Sequence, residues 1–139
     1  MNEMGKFAMK RIAVIGAGVM GRGIAYVAAV SGFQVHLQDL YPEALEKAKK
    51  YIGNELKKSV DGGFIKPGED EASFNRITFT TSIEEAAVEA DLVIEAVLEK
   101  MEIKVDVFKK LDKICPSHTV LATNTSTMSP TEIGAQTSR

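Results

Sequence analysis

Short runs of aliphatic and β-branched residues alternate with longer segments of helical periodicity along most of this chain. Candidate strands cover residues 10–15, 33–38, 77–80, 92–97 and 119–123, and candidate helices include 19–30, 82–90, 101–114 and 129–135. The amphipathic helix 101–114 is predicted to bury Met101, Val105, Phe108 and Leu111. Tyr41-Pro42-Glu43 opens a further long helix, and residues 61–75 are predicted to be a surface connection with some frayed helix. Strands that alternate with helices form parallel sheets covered on both faces. We therefore predict an α/β fold with a doubly wound parallel sheet.

Composition limits the classes of protein to which the chain can belong. Its 139 residues are enough for one domain, 1–139, and a net charge of −2 predicts no nucleic-acid footprint and no polybasic membrane surface. No apolar run approaches the ~18 residues of a membrane span, and the first residues lack the apolar core of a secretory signal. The single cysteine, Cys115, allows neither an internal disulfide nor a zinc site. We expect a cytoplasmic protein without a metal.

A glycine-rich turn follows the first predicted strand. It matches G-x-G-x-x-G and reads Gly16, Ala17, Gly18, Val19, Met20 and Gly21. In a dinucleotide-binding turn the first glycine permits the tight bend, the second lets a pyrophosphate approach the backbone, and the third allows the helix to pack closely on the strand. The following helix presents unpaired amides to the anion. The alternative is a merely tight turn, but the strand before and the helix after it favour a Rossmann-type dinucleotide site.

Asp39 stands eighteen residues beyond Gly21, at the end of the second predicted strand. A carboxylate in this place accepts hydrogen bonds from the adenosine ribose hydroxyls and repels a 2′-phosphate. No Arg or Lys follows it closely, because Leu40, Tyr41 and Pro42 come next. The alternative role for Asp39 is a helix cap before Pro42. Together with the glycines, Asp39 predicts NAD rather than NADP as the cofactor.

Polar residues also follow the fourth and fifth predicted strands. Glu95 interrupts an apolar strand and needs partners or water. Lys100 and Lys104 are like charges four residues apart near a helix N-terminus, which is unfavourable for the pair and for the helix dipole. Lys104 is predicted to reach a cofactor oxygen or to pair with Glu99, and the alternative is a solvated lysine face. Residues 122–127, after the fifth strand, are small and polar, and they either meet a nicotinamide or substrate oxygen or form a capped loop.

Three segments, 12–25, 91–99 and 122–126, resemble in their order the 3-hydroxyacyl-CoA dehydrogenases, including the bacterial 3-hydroxybutyryl-CoA dehydrogenases. The resemblance runs from about Lys10 onward. It implies NAD-dependent interconversion of a (3S)-3-hydroxyacyl-CoA and a 3-ketoacyl-CoA in fatty-acid or short-chain acyl-CoA metabolism. It also implies that residues 16–21 hold the pyrophosphate and Asp39 the ribose. Further cofactor positions matched by the resemblance are Ala96, Glu99 and Lys104. Ser126 matches a serine between the nicotinamide and the substrate's 3-oxygen, which makes it a predicted catalytic residue as well as a cofactor-binding one, and Asn124 belongs to the same loop.

Two features that catalysis in this family requires do not occur among these residues. Members continue into a histidine–glutamate pair and a helical domain that forms a homodimer, and both are expected beyond Arg139. His36 and His118 are predicted to be structural, the second because it precedes the fifth strand. The five lysines of the second helix, at positions 47, 49, 50, 57 and 58, are predicted to form a solvated face rather than a coenzyme A site. We expect NAD binding without turnover by these 139 residues. The alternatives are a dehydrogenase of free 3-hydroxy acids and a non-catalytic dinucleotide sensor.

Overall fold

Five parallel strands form the centre of the computed structural model, which describes residues 9–97 and 100–123. Their order across the sheet is β3-β2-β1-β4-β5. The strands are β1 Arg11–Ile15, β2 Gln34–Gln38, β3 Ile77–Thr80, β4 Leu92–Glu95 and β5 Val120–Thr123. Since β1 pairs with both β2 and β4, the chain winds outward from β1 in two directions. The predicted doubly wound parallel sheet is confirmed.

Five helices are described, and two of them have the bounds that the sequence predicts. The helices are α1 Val19–Val30, α2 Pro42–Asp61, α3 Glu69–Asn75, α4 Ile83–Ala87 and α5 Met101–Ile114. The segment 61–75 is more ordered than the predicted frayed connection, because α3 packs on α2 and its Phe74 ring lies 5.9 Å from that of Phe79. The predicted helix at 129–135 lies outside the described residues.

The side chains of β1 alternate between two hydrophobic layers. Ile12 and Val14 point toward α1 and α2, whereas Ala13 and Ile15 point toward α4 and α5. The first layer is completed by Ala25, Ala28, Val35, Leu37, Leu45, Ile52 and Leu56, and the second by Ala86, Ala87, Val93 and Leu111. Both faces of a central parallel strand are thus buried, as an apolar strand sequence requires.

The chain adds strands on both sides of β1, and this reversal of strand order determines where the crevice of the fold lies. In doubly wound sheets, ligands bind outside the carboxyl ends of the strands at the point where strand order reverses. Here that point lies between β1 and β4. We call the side of the sheet at which the strands end the carboxyl edge, and the opposite side the amino edge. No helix within the described ranges has the length and apolar character needed to cross a membrane.

Candidate cofactor site

A cavity of about 370 Å³ opens at the carboxyl edge between the ends of β1, β2 and β4. This volume lies within the ordinary range for small-molecule and cofactor sites. Its lining residues are Ile15, Gly16, Gly18, Gln38, Asp39, Leu40, Tyr41, Ile83, Ala96, Val97, Ile103 and Val107. The cavity therefore brings together the glycine turn, the acidic residue after β2 and the loop after β4, which the sequence placed far apart.

The three glycines of the turn have three different surroundings. Gly16 has a φ of +106°, and a Cβ there would lie 2.6 Å from the carbonyl oxygen of Ala96. A Cβ on Gly21 would lie 1.7 Å from the carbonyl oxygen of Gly16, so α1 can approach β1 only without a side chain at this position. Gly18 has no described atom within 4 Å of its would-be Cβ and borders the cavity. The tight bend thus lies at Gly16, the close packing at Gly21 and the bare backbone at Gly18, each at the glycine for which it is predicted.

The start of α1 offers an anion-binding surface beside this bare backbone. Gly18 is the N-cap residue, and among the described side chains none caps the helix there. The first amides of a helix carry unpaired N–H groups and partial positive charge, which suit a pyrophosphate. Val19 and Met20 are exposed at the same turn, with relative accessibilities of 73% and 57%. Ala17, by contrast, is buried, and its amide donates a hydrogen bond to the carboxylate of Asp39.

Asp39 is half-buried, lines the cavity and is held by two backbone amides. Its Oδ2 accepts a hydrogen bond from the amide of Ala17 at 2.9 Å, and its Oδ1 accepts one from the amide of Tyr41 at 2.9 Å. The N-cap residue of α2 is Tyr41, so Asp39 supports the local turn without being the cap itself. A carboxylate has about four acceptor positions, and two therefore remain for ribose hydroxyls. This geometry fits the predicted role of Asp39.

Glu95 and Lys104 form an ion pair in the interior, and both side chains are fully buried. The ammonium of Lys104 donates to both carboxylate oxygens of Glu95, at 2.9 and 2.8 Å. The alternative of a solvated lysine face is therefore wrong for Lys104. Burial of two charges is tolerated because each neutralises the other in good geometry. Glu99, the other predicted partner of Lys104, lies outside the described residues.

The buried stripe of α5 also differs from the predicted one. Met101 and Val105, expected in the core, are only half-buried, whereas Lys104, Phe108 and Leu111 are buried. The spacing i, i+4, i+7 describes this second stripe equally well, but a lysine does not count as apolar in a periodicity analysis. The sequence does contain one signal for this ion pair. Glu95 interrupts an apolar strand and Lys104 lies on the next helix, and neither charge has a local partner that explains it.

Two more groups bind the Glu95 carboxylate at the carboxyl edge. The Thr123 hydroxyl donates to its Oε1 at 2.5 Å, and the amide of Val97 donates to its Oε2 at 2.7 Å. Ala96 lines the cavity, as expected of a cofactor-contacting residue, and its amide donates to the carbonyl of Ile15 at 2.7 Å. The predicted residues Asn124 and Ser126 stand one and three positions after Thr123 and lie outside the described part of the chain.

Both histidines lie away from the cavity. His118 contacts Asp91 at the amino edge, where its Nε2 is 2.9 Å from Oδ1, and His36 lies within β2 opposite Ala13 and Thr78. Among the described residues, neither histidine lines the cavity. Of the five α2 lysines, the four at positions 47, 50, 57 and 58 are exposed, as predicted, while Lys49 is half-buried with its ammonium 5.3 Å from the centre of the Phe79 ring.

Comparison with known proteins gives a consistent family. The model of the 3-hydroxyacyl-CoA dehydrogenase NAD-binding domain matches residues 11–139. A probable 3-hydroxybutyryl-CoA dehydrogenase of Bacillus subtilis is 46% identical over 131 residues, which are 94% of this chain and 45% of that protein. The human mitochondrial hydroxyacyl-coenzyme A dehydrogenase is 40% identical over 139 residues, covering 96% of this chain and 44% of the human protein.

Solved structures agree with this assignment. The crystal structure of a 3-hydroxybutyryl-CoA dehydrogenase from Escherichia coli superposes with a TM-score of 0.87 at 43% identity, covering 92% of this chain and 27% of that one. An (S)-3-hydroxybutyryl-CoA dehydrogenase from Ralstonia eutropha gives a TM-score of 0.89 at 31% identity, covering 95% and 46%. The chain thus spans less than half the length of these relatives. It belongs to the family of NAD-binding domains of 3-hydroxyacyl-CoA dehydrogenases, and its cofactor is NAD.

Proposed function

We propose that this chain is the cofactor-binding half of an enzyme that interconverts (3S)-3-hydroxyacyl-CoA and 3-ketoacyl-CoA by hydride transfer. The observation that carries the proposal is the cavity at the carboxyl edge, where Gly18 and Asp39 stand on one side and the loop after β4 on the other. The names of the relatives supply the substrate class. We also propose a cytoplasmic protein, on the basis of its single cysteine, although several relatives are named mitochondrial.

Each described part of the site has a separate task in this proposal. The backbone at Gly18 and the first amides of α1 bind the pyrophosphate, and Asp39 binds the adenosine ribose and repels a 2′-phosphate. Bound NAD supplies the hydride acceptor, which protein side chains lack. Ala96 and Val97 form the opposite wall of the cavity. We assign a contact with the cofactor to Glu99, and contacts with both the nicotinamide and the substrate's 3-oxygen to Ser126. The Lys104 side chain is fully buried on Glu95, so we assign it a role behind the cavity wall.

The reaction also needs a base close to the substrate hydroxyl. Among the described residues lining the cavity, Asp39 is the only carboxylate, and its free acceptor positions are assigned to the adenosine ribose, away from the reacting hydroxyl. From the resemblance to the 3-hydroxyacyl-CoA dehydrogenases, we propose that the base is the histidine of a histidine–glutamate pair in a helical half that also carries the homodimer contacts. A polypeptide of residues 1–139 should then bind NAD(H) and catalyse no turnover.

Two measurements on this polypeptide test the proposal. Reduced nicotinamide is itself fluorescent, so binding of NADH can be followed without a label. We expect saturable binding of NADH, much weaker binding of NADPH, and no oxidation of NADH when acetoacetyl-CoA is added. A chain that binds neither dinucleotide contradicts the cofactor role, and substantial turnover contradicts the division of labour.

Two further assays separate the alternatives. Free 3-hydroxy acids, tested with the enzyme that contains both halves, should support far less NAD reduction than their coenzyme A thioesters. Comparable rates would favour the free-acid dehydrogenase. A sensor, by contrast, would change its oligomeric state with the NADH/NAD ratio, and we expect no such change by sedimentation.

A further inference from the structure

The carboxylate of Glu95 joins three segments that meet at the carboxyl edge. It ends β4, it receives both bonds from Lys104 of α5, and it accepts the hydroxyl of Thr123 at the end of β5. A fourth bond comes from the amide of Val97, which forms part of the cavity wall. Four hydrogen bonds to one carboxylate fill its acceptor positions. Glu95 is therefore satisfied by the protein alone.

A buried ion pair of this kind is weak evidence for stability. Apolar residues of similar volume often replace such a pair without loss, whereas the removal of one partner leaves a costly buried charge. Its effect on position is more direct, since a carboxylate with four donors fixes the directions of all of them. The segments fixed here are the ones that border the cavity.

We propose that Glu95 is a positioning residue for the nicotinamide riboside half of NAD. It holds Lys104, the wall at Val97 and the chain at Thr123 in the arrangement that this half of the cofactor requires. The proposal rests on the NAD-binding role given above. In this proposal Lys104 is held by Glu95 behind the cavity wall, since its side chain is fully buried and is not among the residues that line the cavity.

The layout of the crevice selects this half of the cofactor. Asp39, after β2, takes the adenosine ribose, and the glycine turn after β1 takes the pyrophosphate. A dinucleotide that crosses the crevice then extends its second half toward β4, where Ala96, Val97, Ile103 and Val107 line the cavity. Ile103 is adjacent to Lys104, and Val97 donates directly to Glu95, so the Glu95 network lies immediately behind this wall.

The test compares two ligands that share the adenosine and pyrophosphate but differ in the other half. In this proposal NADH occupies the whole crevice, whereas ADP occupies only the part lined by Asp39 and Gly18. In Glu95→Gln, the amide cannot accept all four bonds or neutralise Lys104. We expect NADH to bind about tenfold more weakly, which corresponds to one well-placed hydrogen bond, and ADP affinity to stay within about twofold.

A double variant, Glu95→Gln with Lys104→Met, separates positioning from stability because it removes both buried charges. We expect its melting temperature to recover toward that of the unmodified chain while its NADH affinity stays about tenfold lower and its ADP affinity is unchanged. If the single variant does not fold, the double variant carries the test. Glu89→Gln is the matched control, since Glu89 is 69% exposed and pairs with Arg11, and neither ligand should be affected.

Two results would overturn the positioning role. Normal NADH binding by the double variant would make the pair purely structural, and an equal loss of NADH and ADP would show a general distortion of the domain. Failure of the unmodified chain to bind either ligand is a different outcome, because it would remove the proposed function together with this inference.

Discussion

At the scale of single residues, the site depends on where the backbone is bare and where one carboxylate is held. The amides of Ala17 and Tyr41 fix the two oxygens of Asp39, so its direction does not depend on the cofactor. A preorganised acceptor of this kind loses little entropy when it binds a ligand. Asp39 also links the glycine turn to the end of β2. A change at Asp39 therefore affects both of these parts of the cavity lining.

We expect Asp39→Ala to weaken NAD binding by about 1–3 kcal/mol, the range for losing hydrogen bonds to a charged group. Discrimination against NADP should fall as well, because the carboxylate that repels a 2′-phosphate is gone. Calorimetric titration with both dinucleotides measures the two effects. Asp61→Ala, an exposed acidic position at the end of α2, is the control. An unchanged NAD affinity in Asp39→Ala would remove this residue from the site.

The glycines of the turn give a matched pair of variants. Gly21→Ala places a Cβ 1.7 Å from the carbonyl oxygen of Gly16 and forces α1 away from β1. We expect a loss of at least about 1–3 kcal/mol in the free energy of unfolding, the usual cost of overpacking. Gly18→Ala meets no described atom within 4 Å, and the φ of −73° at Gly18 suits alanine.

For Gly18→Ala we therefore expect normal stability and weaker binding of both NADH and ADP, since the new methyl group occupies the space of the pyrophosphate. Urea unfolding and fluorescence titration on the two variants separate the roles. Equal stability losses in both variants would contradict the different surroundings of the two glycines.

At the scale of elements, the sequence predicts where helices and strands lie better than which side chains they bury. The bounds of α1, α5 and β3 agree with the apolar and β-branched patterns. β4 is shorter than predicted and ends at Glu95, because the amide of Val97 donates to the carboxylate of Glu95 instead of a neighbouring strand. A side chain that takes over a backbone bond cannot be found from residue propensities.

The candidate site shows the same difference between local patterns, which the sequence predicts, and contacts between distant residues, which it does not. The glycine turn and Asp39 follow a motif in which each residue type has a local reason, so the sequence alone predicts residues that the fold brings to one cavity. For Lys104 the sequence predicts a cofactor oxygen, Glu99 or solvent, and it misses Glu95 because this contact exists only when α5 packs beside β4. Long-range pairing of two charges in the interior depends on topology and has no periodic signature.

Replacing only one member of this pair should destabilise the packing of α5. In Lys104→Met the carboxylate of Glu95 stays buried without its main counter-charge, and we expect a loss of about 3–5 kcal/mol in the free energy of unfolding. Denaturant unfolding measures it. Lys110→Met changes an exposed lysine of the same helix and should stay within about 0.5 kcal/mol. A similar small effect in both variants would show that Glu95 finds other compensation.

At the scale of the whole molecule, β4 lies between two carboxylates that connect distant segments at opposite edges of the sheet. Glu95 acts at the carboxyl edge, beside the cavity. Asp91 acts at the amino edge, where its Oδ2 accepts the amides of Lys10 and Arg11 at 2.8 and 3.0 Å and its Oδ1 contacts His118. The start of β1 and the connection before β5 are thus fixed to the start of β4, on the side of the sheet opposite the cavity.

Because of its bonds, Asp91 should make the stability of the fold depend on pH in acid. The amide of Lys10 is the largest cause, followed among the lowering effects by His118 and Arg11, and together they outweigh burial and lower the pKa of Asp91 from 3.8 to about 2. A pKa lower in the folded than in the unfolded state adds stability above the unfolded value, and this stability is lost as the pH falls from about 4 to about 2.

We expect Asp91→Asn to reduce the free energy of unfolding by about 1–2 kcal/mol near pH 6, after allowance for solvent screening, and by almost nothing near pH 2. Urea unfolding from pH 2 to 6 measures the difference between the two curves. Asp61→Asn, with an exposed carboxyl, should follow the curve of the unmodified chain. NADH affinity at pH 7 should be unchanged in Asp91→Asn, since the amino edge takes no part in the crevice. Parallel stability curves for Asp91→Asn and the unmodified chain would show that the connections at the start of β4 do not depend on the charge of Asp91.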